Sequence, residues 1–435
     1  MNATVVVVGV GADGWDGLDE TRRRAVREAE VVLGGERHLA MIPASLGALR
    51  EPWPRPLRDG LPALLERHGG ARIVALASGD PLVSGVATTL IEVLGASAVE
   101  VLPAVSSVAL ARARMRWRAE SVAVVRDHRT LPRELSPGRR ILVLSADRHT
   151  PGEVAATLTA AGFGASEMTV LSNLGAASEA RQSCLASDWE PGADAPPLHV
   201  LAVECRVAGA GEFYDDDNTS TPARSLGLAP GLPDDAFEND GQLTRRDLRA
   251  SALARLAPAA GELLWDVGAG AGSVGIEWMR VHPSCRAIAV EADATRAERI
   301  ARNASRLGVP ALEVVHGRAP DALDGLARPD AVFIGGGGTA HGLIRQCWDA
   351  LAPGGRLVAH AVTLETERVL LDARAEVGGE VTRFHVEHAD SIGSFTGWAP
   401  ARPVVQWSAV KPWSAQTDSG VASDSHACTS VEERS

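Results

Sequence analysis

The chain has 435 residues, more than one ordinary hydrophobic core accommodates, and its hydrophobic content of 45% excludes a disordered protein. The net charge of −12 argues against nucleic-acid binding, which uses a basic surface. The five cysteines lack metal-ligand or redox spacing, no apolar run reaches the roughly 18 residues of a membrane span, and the N-terminus has no signal-peptide pattern. We therefore expect a cytoplasmic protein of two or three domains without nucleic-acid, membrane or metal partners.

Residues 3–206 alternate short β-branched runs with helical patterns. The predicted strands are 4–8, 72–76, 99–102, 121–125, 140–144, 167–171 and 198–204. The predicted helices include 21–29, 85–94, 106–115 and 151–161. This alternation is typical of an α/β domain with mainly parallel sheets, in which ligands bind at the carboxyl ends of the strands.

Three turns follow predicted strands of this region and carry its candidate binding residues. These residues are Gly9, Gly11, Asp80, Pro81, Ser106 and Ser107. Asp80 can accept hydrogen bonds from hydroxyl or ammonium groups, and groups near Ser106 can meet a ligand at a helix N-terminus. The order and spacing of the turns resemble the tetrapyrrole methylase family, which implies a two-lobed domain with the methyl donor in the cleft. The sequence departs from that family at Ala12, where a proline follows the first glycine turn in the family.

Two stretches have no regular period. The stretch 209–233 contains acidic runs and prolines, which predicts a linker. This linker would join a first domain, 1–208, to a second domain, 234–412. The polar stretch 413–435 is predicted to be a disordered tail.

The second domain begins with a predicted helix at 245–256 and continues with buried strands separated by helices. The strands are expected at 262–267, 286–291, 312–316, 330–334 and 356–361, followed by an antiparallel pair at 380–387 and 404–409. Five parallel strands closed by an antiparallel pair are the layout of a class I (Rossmann-like) methyltransferase sheet.

A glycine-rich loop follows the first of these strands and is the strongest local signal in the sequence. Glycines are required where a backbone turns tightly and approaches a ligand without a Cβ in the way. Glu291 ends the next strand, where a carboxylate can accept hydrogen bonds from both ribose hydroxyls. The predicted donor-binding residues of this domain are Thr244, Asp266, Gly268, Ala269, Gly270, Ala271, Gly272, Glu291, Arg318 and Ala319.

Two alternatives to a methyltransferase remain at this point. Gly270, Gly272 and Gly275 match the dinucleotide-binding pattern, which would suit a nicotinamide-dependent reductase. A regulatory protein that senses the methyl donor without catalysis is the other. The turn at 351–358 and the segment 317–320 after the third strand favour a class I methyltransferase.

A tetrapyrrole methylase domain ahead of a class I methyltransferase domain resembles the bifunctional precorrin methyltransferases of cobalamin biosynthesis. The segments 231–250, 270–280 and 395–407 carry this resemblance in the second half. It implies one S-adenosylmethionine per domain, methylation of a precorrin at C5 by the first domain, and C15 methylation with loss of the ring C acetate carboxyl by the second. A homo-oligomer is a separate expectation, which no motif of the sequence carries.

The carboxylates of such a substrate call for arginines. The candidates are Arg112, Arg114, Arg116 and Arg118 in the first domain, and Arg245, Arg246 and Arg249 in the second.

Overall fold

The computed structural model describes residues 5–83, 85–207 and 226–413. The chain forms two compact units, Met1–Gly227 with Ser305–Pro310, and Leu228–Ala304 with Ala311–Ser435. The predicted tail from 414 onward and the part of the predicted linker up to 225 lie outside the described residues. The domain limits 1–208 and 234–412 therefore stay predictions.

The first lobe of the first unit is a five-stranded parallel sheet in the order β3-β2-β4-β1-β5. Its elements are β1 (Val5–Val10), α1 (Glu20–Glu28), β2 (Val31–Gly34), α2 (Glu36–Ala40), β3 (Leu49–Pro52), α3 (Leu57–Arg67), β4 (Ile73–Ser78), α4 (Val86–Leu94) and β5 (Val99–Leu102). Apolar side chains are buried on both faces of β1, β2 and β4, because helices cover both faces of a parallel sheet.

The second lobe is a mixed sheet in the order β6-β7-β10-β8-β9. Its elements are α5 (Ser107–Met115), β6 (Val122–Val125), β7 (Arg140–Val143), α6 (Thr150–Ala160), β8 (Glu167–Ser172), β9 (Ala180–Leu185) and β10 (His199–Glu204). Only β6 and β7 pair in parallel, so the expectation of mainly parallel sheets is wrong for this lobe. The connection between β8 and β9 is too short for the crossover that parallel strands need, so this pair is antiparallel.

The second unit contains a seven-stranded sheet in the order β13-β12-β11-β14-β15-β19-β16. Its helices are α7 (Arg246–Leu256), α8 (Ser273–Val281), α9 (Ala294–Arg306), α10 (Leu343–Ala350) and α11 (Leu364–Val377). Its strands are β11 (Leu263–Val267), β12 (Arg286–Glu291), β13 (Glu313–His316), β14 (Ala331–Ile334), β15 (Arg356–Ala361), β16 (Glu380–Phe384), β17 (Glu387–Ile392), β18 (Phe395–Pro400) and β19 (Val404–Val410).

The first five strands of this sheet, β11 to β15, run parallel, and β19 lies antiparallel between β15 and β16. This confirms the predicted class I arrangement. Strands β17 and β18 form a separate hairpin that the sequence did not predict. Among the described residues, no helix is long and apolar enough to cross a membrane.

Candidate functional site

The first unit contains a cavity of about 560 Å³ between its two lobes. The turns after β1, β4 and β5 line it from the first lobe, and residues of β8 and β10 line it from the second. Of the predicted residues, four line this cavity and two, Gly9 and Pro81, do not. The lining residues are Gly11, Asp80, Ser106 and Ser107.

Gly9 lies behind the cavity, where the three turns approach one another. A Cβ on Gly9 would stand 2.0 Å from the Gly79 carbonyl oxygen and 2.6 Å from the Ala104 nitrogen. The Gly79 N–H donates to the Val10 oxygen at 2.9 Å, and the Ala104 N–H donates to the Gly79 oxygen at 3.1 Å. Gly9 therefore supports the rim of the cavity, because only a glycine permits this close approach.

The polar side chains of the rim already hold their own turns. Asp80 Oδ1 accepts a hydrogen bond from the Leu82 N–H at 2.9 Å. Ser106 is the N-cap of α5, and its Oγ accepts from the Ala109 N–H at 3.1 Å. Both carboxylate oxygens of Asp80 keep lone pairs, and Ser106 keeps its hydroxyl hydrogen and one lone pair, so a ligand can still bond to both side chains.

Three basic side chains that the sequence analysis missed also line this cavity: Arg37, His38 and Arg126. Arg37 Nη2 donates to Ser78 Oγ at 2.9 Å, and His38 Nε2 lies 3.0 Å from the same oxygen. Burial, together with the Arg37 charge, lowers the pKa of His38 to about 4, so its ring is neutral at pH 7. Among the described residues, neither Arg37 nor Arg126 forms an ion pair.

The arginines predicted for the first domain do not line its cavity. Arg114, for example, is paired with Glu179, to which its Nη2 donates at 2.9 Å. Arg37 and His38 follow β2, and Arg126 follows β6. A signal for the turn after β2 was present in the sequence. The apolar run Val31–Gly34 is a buried strand that ends just before Gly35, so a ligand-facing turn is expected there.

The second unit contains a cavity of about 990 Å³ at the carboxyl ends of its parallel strands. Three predicted residues, Asp266, Ala271 and Gly272, do not line it. Those that do are Thr244, Gly268, Ala269, Gly270, Glu291, Arg318 and Ala319.

Asp266 is fully buried behind the glycine loop. Its Oδ2 accepts a hydrogen bond from the Gly275 N–H of α8 at 2.9 Å. Burial raises the pKa of this carboxyl to about 7, with a smaller contribution from the Glu291 charge, while the Gly275 hydrogen bond opposes the shift. Gly272 has φ +75°, and a Cβ there would lie 2.7 Å from Ile300 Cγ2. Both residues therefore shape the loop from behind.

Glu291 lies at the end of β12 and faces the loop. Its Oε2 accepts from the Gly270 N–H at 2.8 Å, and its Oε1 accepts from the Asp293 N–H at 3.0 Å. Each oxygen keeps a lone pair for a hydroxyl donor. Gly270 itself has φ +60°, and a Cβ would stand 2.6 Å from the Gln242 oxygen, so the loop and the segment around Gln242 meet backbone to backbone.

The segment 231–244, which we call the strap, is held over the second unit by a buried ion pair. Arg249 Nε donates to Glu277 Oε1 at 2.5 Å, and both side chains are at most 2% exposed. Arg249 also donates to the carbonyl oxygens of Leu232 and Thr244. Because its guanidinium is fully used inside the protein, Arg249 is unavailable to a substrate carboxylate, and its prediction as a substrate-binding residue is wrong.

Other charges surround the mouth of this cavity. The predicted residue Arg245 lines the cavity and pairs with Asp234 at 3.5 Å. Arg296 also lines it and pairs with Asp240 at 2.9 Å. Arg318 and Arg402 line the cavity and form no ion pair within the described part of the chain, whereas Arg246 does not line it.

His360, at the end of β15, also lines this cavity and was not predicted. Its Nε2 lies 2.9 Å from Gln406 Oε1, and its ring meets Phe333 edge to face at 5.0 Å. Burial lowers its pKa, so the imidazole is neutral at physiological pH.

Known families match both units. Residues 4–188 match the tetrapyrrole (corrin/porphyrin) methylases, and residues 235–411 match the family described as the precorrin methyltransferase domain. Fold and matches together define an α/β methyltransferase with a tetrapyrrole methylase domain ahead of a precorrin methyltransferase domain.

The chain is also similar to individual proteins. The chain is 44% identical over 411 residues to a precorrin-6Y C(5,15)-methyltransferase (decarboxylating) from Sinorhizobium sp, covering 94% of this chain and 96% of the relative. It is 34% identical over 181 residues to a probable cobalt-precorrin-6B C(15)-methyltransferase (decarboxylating) from Pyrobaculum calidifontis, covering 40% and 93%. The solved C-terminal domain of precorrin-6Y C5,15-methyltransferase from Rhodobacter capsulatus is 45% identical, covers 43% of this chain and 100% of its own, and has a TM-score of 0.41.

The chain therefore belongs to the family of precorrin-6Y C(5,15)-methyltransferases (decarboxylating), and it is an enzyme. The nicotinamide-dependent reductase receives no support, since both halves match methylase families.

Proposed function

We propose that this enzyme methylates a precorrin at C5 and C15 and removes the carboxyl group of its ring C acetate, using one S-adenosylmethionine in each unit. The observation that carries this proposal is a pair of separate cavities, one per unit. Each lies at the carboxyl ends of parallel strands and is bordered by a glycine turn and a carboxylate. S-adenosylmethionine supplies an electrophilic methyl group carried on a sulfonium.

The residues of the second cavity fit such a donor. Gly268 has φ +68°, and a Cβ there would stand 2.8 Å from the Gly336 backbone. Only glycine fits at this position, so the loop presents its backbone to the ligand without a side chain. Glu291 offers the remaining lone pairs of its carboxylate to ribose hydroxyls. Arg318 and Ala319, after β13, border the region where we place the adenine.

Four arginines that form no ion pair with any described residue favour a polycarboxylate substrate. Arg37 and Arg126 line the first cavity, and Arg318 and Arg402 line the second. A guanidinium near a cavity is a strong bidentate partner for a carboxylate. Together with Arg245, an earlier candidate that also lines the second cavity, these are the side chains that we expect to orient the acetate and propionate groups of the macrocycle.

We assign C15 methylation and decarboxylation to the second unit and C5 methylation to the first. The Pyrobaculum relative, whose name joins these two reactions, aligns over a stretch close in length to residues 235–411. During decarboxylation the bond to the carboxylate breaks, CO2 leaves, the electron pair enters the conjugated macrocycle, and a solvent proton ends on the former acetate carbon. The chain's residues need only orient the acetate and exclude water.

The number of donor sites is tested by calorimetric titration with S-adenosylhomocysteine. We expect two donor-binding sites in the wild-type chain and one in Gly9→Val or Gly270→Val. A side chain at either position would clash with backbone atoms of a neighbouring segment. Gly47→Val is the control, since nothing lies within 4 Å of a Cβ there. A single wild-type site that Gly270→Val alone abolishes would remove the first-unit site from the proposal.

The division of labour is tested by the masses of the products. Glu291→Ala should weaken donor binding in the second unit about ten- to a hundredfold, as expected for losing a charged hydrogen-bond partner. It should then yield material methylated at C5 that keeps the ring C carboxyl. Asp80→Ala should instead yield decarboxylated material with one methyl group.

Mass spectrometry separates these two products by the mass of CO2. The exposed carboxylates Asp59 and Glu313, which line neither cavity, provide the matched Ala controls. If Asp80→Ala abolished decarboxylation and Glu291→Ala left it intact, the assignment of the two reactions would be reversed.

A further inference from the structure

The second lobe contributes a buried histidine to the first cavity. His199 is the first residue of β10, lines the cavity, and is 8% exposed. Most of its neighbours in that wall are apolar, among them Leu171, Leu174 and Val200. A polar ring in an apolar wall is costly unless its nitrogens are hydrogen-bonded.

The protonation of the His199 ring is fixed by its surroundings. Its Nδ1 lies 2.7 Å from the Pro196 carbonyl oxygen, which can only accept, so Nδ1 carries the hydrogen. Burial lowers the pKa of the ring, against the opposing effects of the Pro196 hydrogen bond and the Asp147 charge. The imidazole is therefore neutral at pH 7, and Nε2 presents a lone pair.

That lone pair has no partner within the described part of the chain. Nε2 is sealed from solvent and accepts no hydrogen bond, and the same is true of the hydroxyl oxygen of Ser145, which lines the same cavity. Leaving a buried acceptor unsatisfied costs about 1–3 kcal/mol. Because His199 and Ser145 both line this cavity, a ligand bound there can supply the missing partner.

We propose that His199 Nε2 accepts a hydrogen bond from an N–H group of the ligand in the first cavity and so selects for a ligand that carries a donor at that point. This inference rests on the proposed function, under which the cavity holds both the methyl donor and the tetrapyrrole. Two groups share the required chemistry: the adenine amino group of the methyl donor, and a pyrrole-type N–H of the macrocycle. A carbonyl or ring-nitrogen acceptor facing Nε2 is excluded by repulsion between lone pairs.

The test uses the full chain carrying Gly270→Val, so that S-adenosylhomocysteine reports only the first unit. His199→Asn keeps an amide N–H near Nδ1 and removes the acceptor at Nε2, whereas His199→Gln places an amide group near Nε2. The probes are S-adenosylhomocysteine and S-inosylhomocysteine, in which a carbonyl replaces the adenine amino group. The KM of the tetrapyrrole in C5 methylation is measured on the same variants.

If the amino group is the partner, His199→Asn weakens S-adenosylhomocysteine about three- to tenfold, the size expected for one neutral hydrogen bond, and leaves S-inosylhomocysteine unchanged. If the macrocycle is the partner, the affinity for S-adenosylhomocysteine is unchanged, and the tetrapyrrole KM rises by the same factor. In both cases His199→Gln recovers part of the loss, which a purely structural defect would not show.

Equal affinities and equal KM values in wild type and His199→Asn overturn the inference and leave the proposed function standing. If His199→Asn does not fold, two other results together overturn the inference. The chain with native His199 would bind S-adenosylhomocysteine and S-inosylhomocysteine equally tightly, and His199→Gln would leave the tetrapyrrole KM unchanged. Failure of the chain with native His199 to bind donor or methylate tetrapyrrole contradicts the proposed function itself.

Discussion

At the scale of single residues, two carboxylates at the ends of neighbouring strands have different roles. Asp266 ends up behind the glycine loop, with its oxygen bonded to the Gly275 N–H and no access to the cavity. Glu291 borders the cavity and holds the loop from the front through the Gly270 N–H. Both side chains are buried, and the difference follows from position, since only Glu291 lines the cavity in which a ligand can reach it.

The buried Asp266 predicts a pH-dependent stability of the second unit. Its pKa of about 7 in the folded chain lies above the value near 3.9 of an unfolded aspartate. The contribution of protonated Asp266 to the free energy of unfolding is therefore fully present below about pH 4, and it is lost as the pH rises through 7. Asp266→Asn keeps an oxygen for the Gly275 N–H but does not ionise.

We expect the melting temperature of Asp266→Asn, relative to wild type, to rise from pH 5 to about pH 7 and to level off by pH 8, by several degrees in all. Differential scanning calorimetry measures it, with Asp372→Asn as an exposed control on α11. A difference that is the same at pH 5 and pH 8 would mean that Asp266 does not titrate in this range.

At the scale of elements, the sequence predicted strands where a buried apolar run ends at a turn. It therefore located β1, β4, β11 and β12, together with the turns that border both cavities. It missed β3 and β9, because edge strands carry polar, exposed side chains and lack an apolar run. It also missed the buried strand β2, although the apolar run Val31–Gly34 was a signal for it. The antiparallel second lobe was not predictable either, since local periodicity does not encode strand direction.

The residues of the candidate sites could likewise be predicted only where they lie close together in the sequence. Gly268, Gly270 and Glu291 follow one another in a local pattern and could be predicted. Arg126 and His199 come together only when the second lobe folds, because they belong to distant parts of the chain. Their roles depend on burial and on missing partners, which no sequence spacing records.

The strap gives a prediction at this scale. Glu277 accepts hydrogen bonds from the Gly231 and Leu232 N–H groups at 2.6 and 3.0 Å as well as from Arg249. Glu277→Gln leaves the buried Arg249 charge without its main partner, and breaking a buried pair in this way typically costs about 3–5 kcal/mol. Because Arg249 also holds the Thr244 carbonyl, affinity for S-adenosylhomocysteine in the second unit should fall too.

Urea unfolding and calorimetric titration measure these two losses. The exposed pair between Arg345 and Asp349 on α10 supplies the control, since Asp349→Asn should leave both quantities unchanged. Joint replacement by Arg249→Met and Glu277→Leu should recover part of the stability but not the donor affinity. Full retention of affinity in Glu277→Gln would separate the strap from the site.

At the scale of the whole molecule, the second compact unit begins earlier in the chain than the second domain predicted from the sequence. The sequence placed the start of the second domain at 234, after an aperiodic acidic stretch. In the structure the second unit begins at Leu228, and Leu232, only 3% exposed, is part of its core. An irregular segment can still belong to a domain when its backbone groups satisfy buried charges, as they do here for Glu277 and Arg249.

This contrast predicts that a fragment spanning 228–413 is more stable than one spanning 234–413. The shorter fragment lacks the Gly231 and Leu232 N–H groups that reach Glu277, and the Leu232 carbonyl that accepts from Arg249. Unsatisfied buried groups of this kind cost about 1–3 kcal/mol each, so we expect a loss of several kcal/mol or a molten fragment by circular dichroism. Combining each fragment with Glu277→Gln tests the cause, because the substitution should cost clearly less in 234–413, where two of its partners are already gone. Equal stability of the two fragments, or an equal cost of Glu277→Gln in both, would mean that residues 228–233 are a linker as their composition suggested.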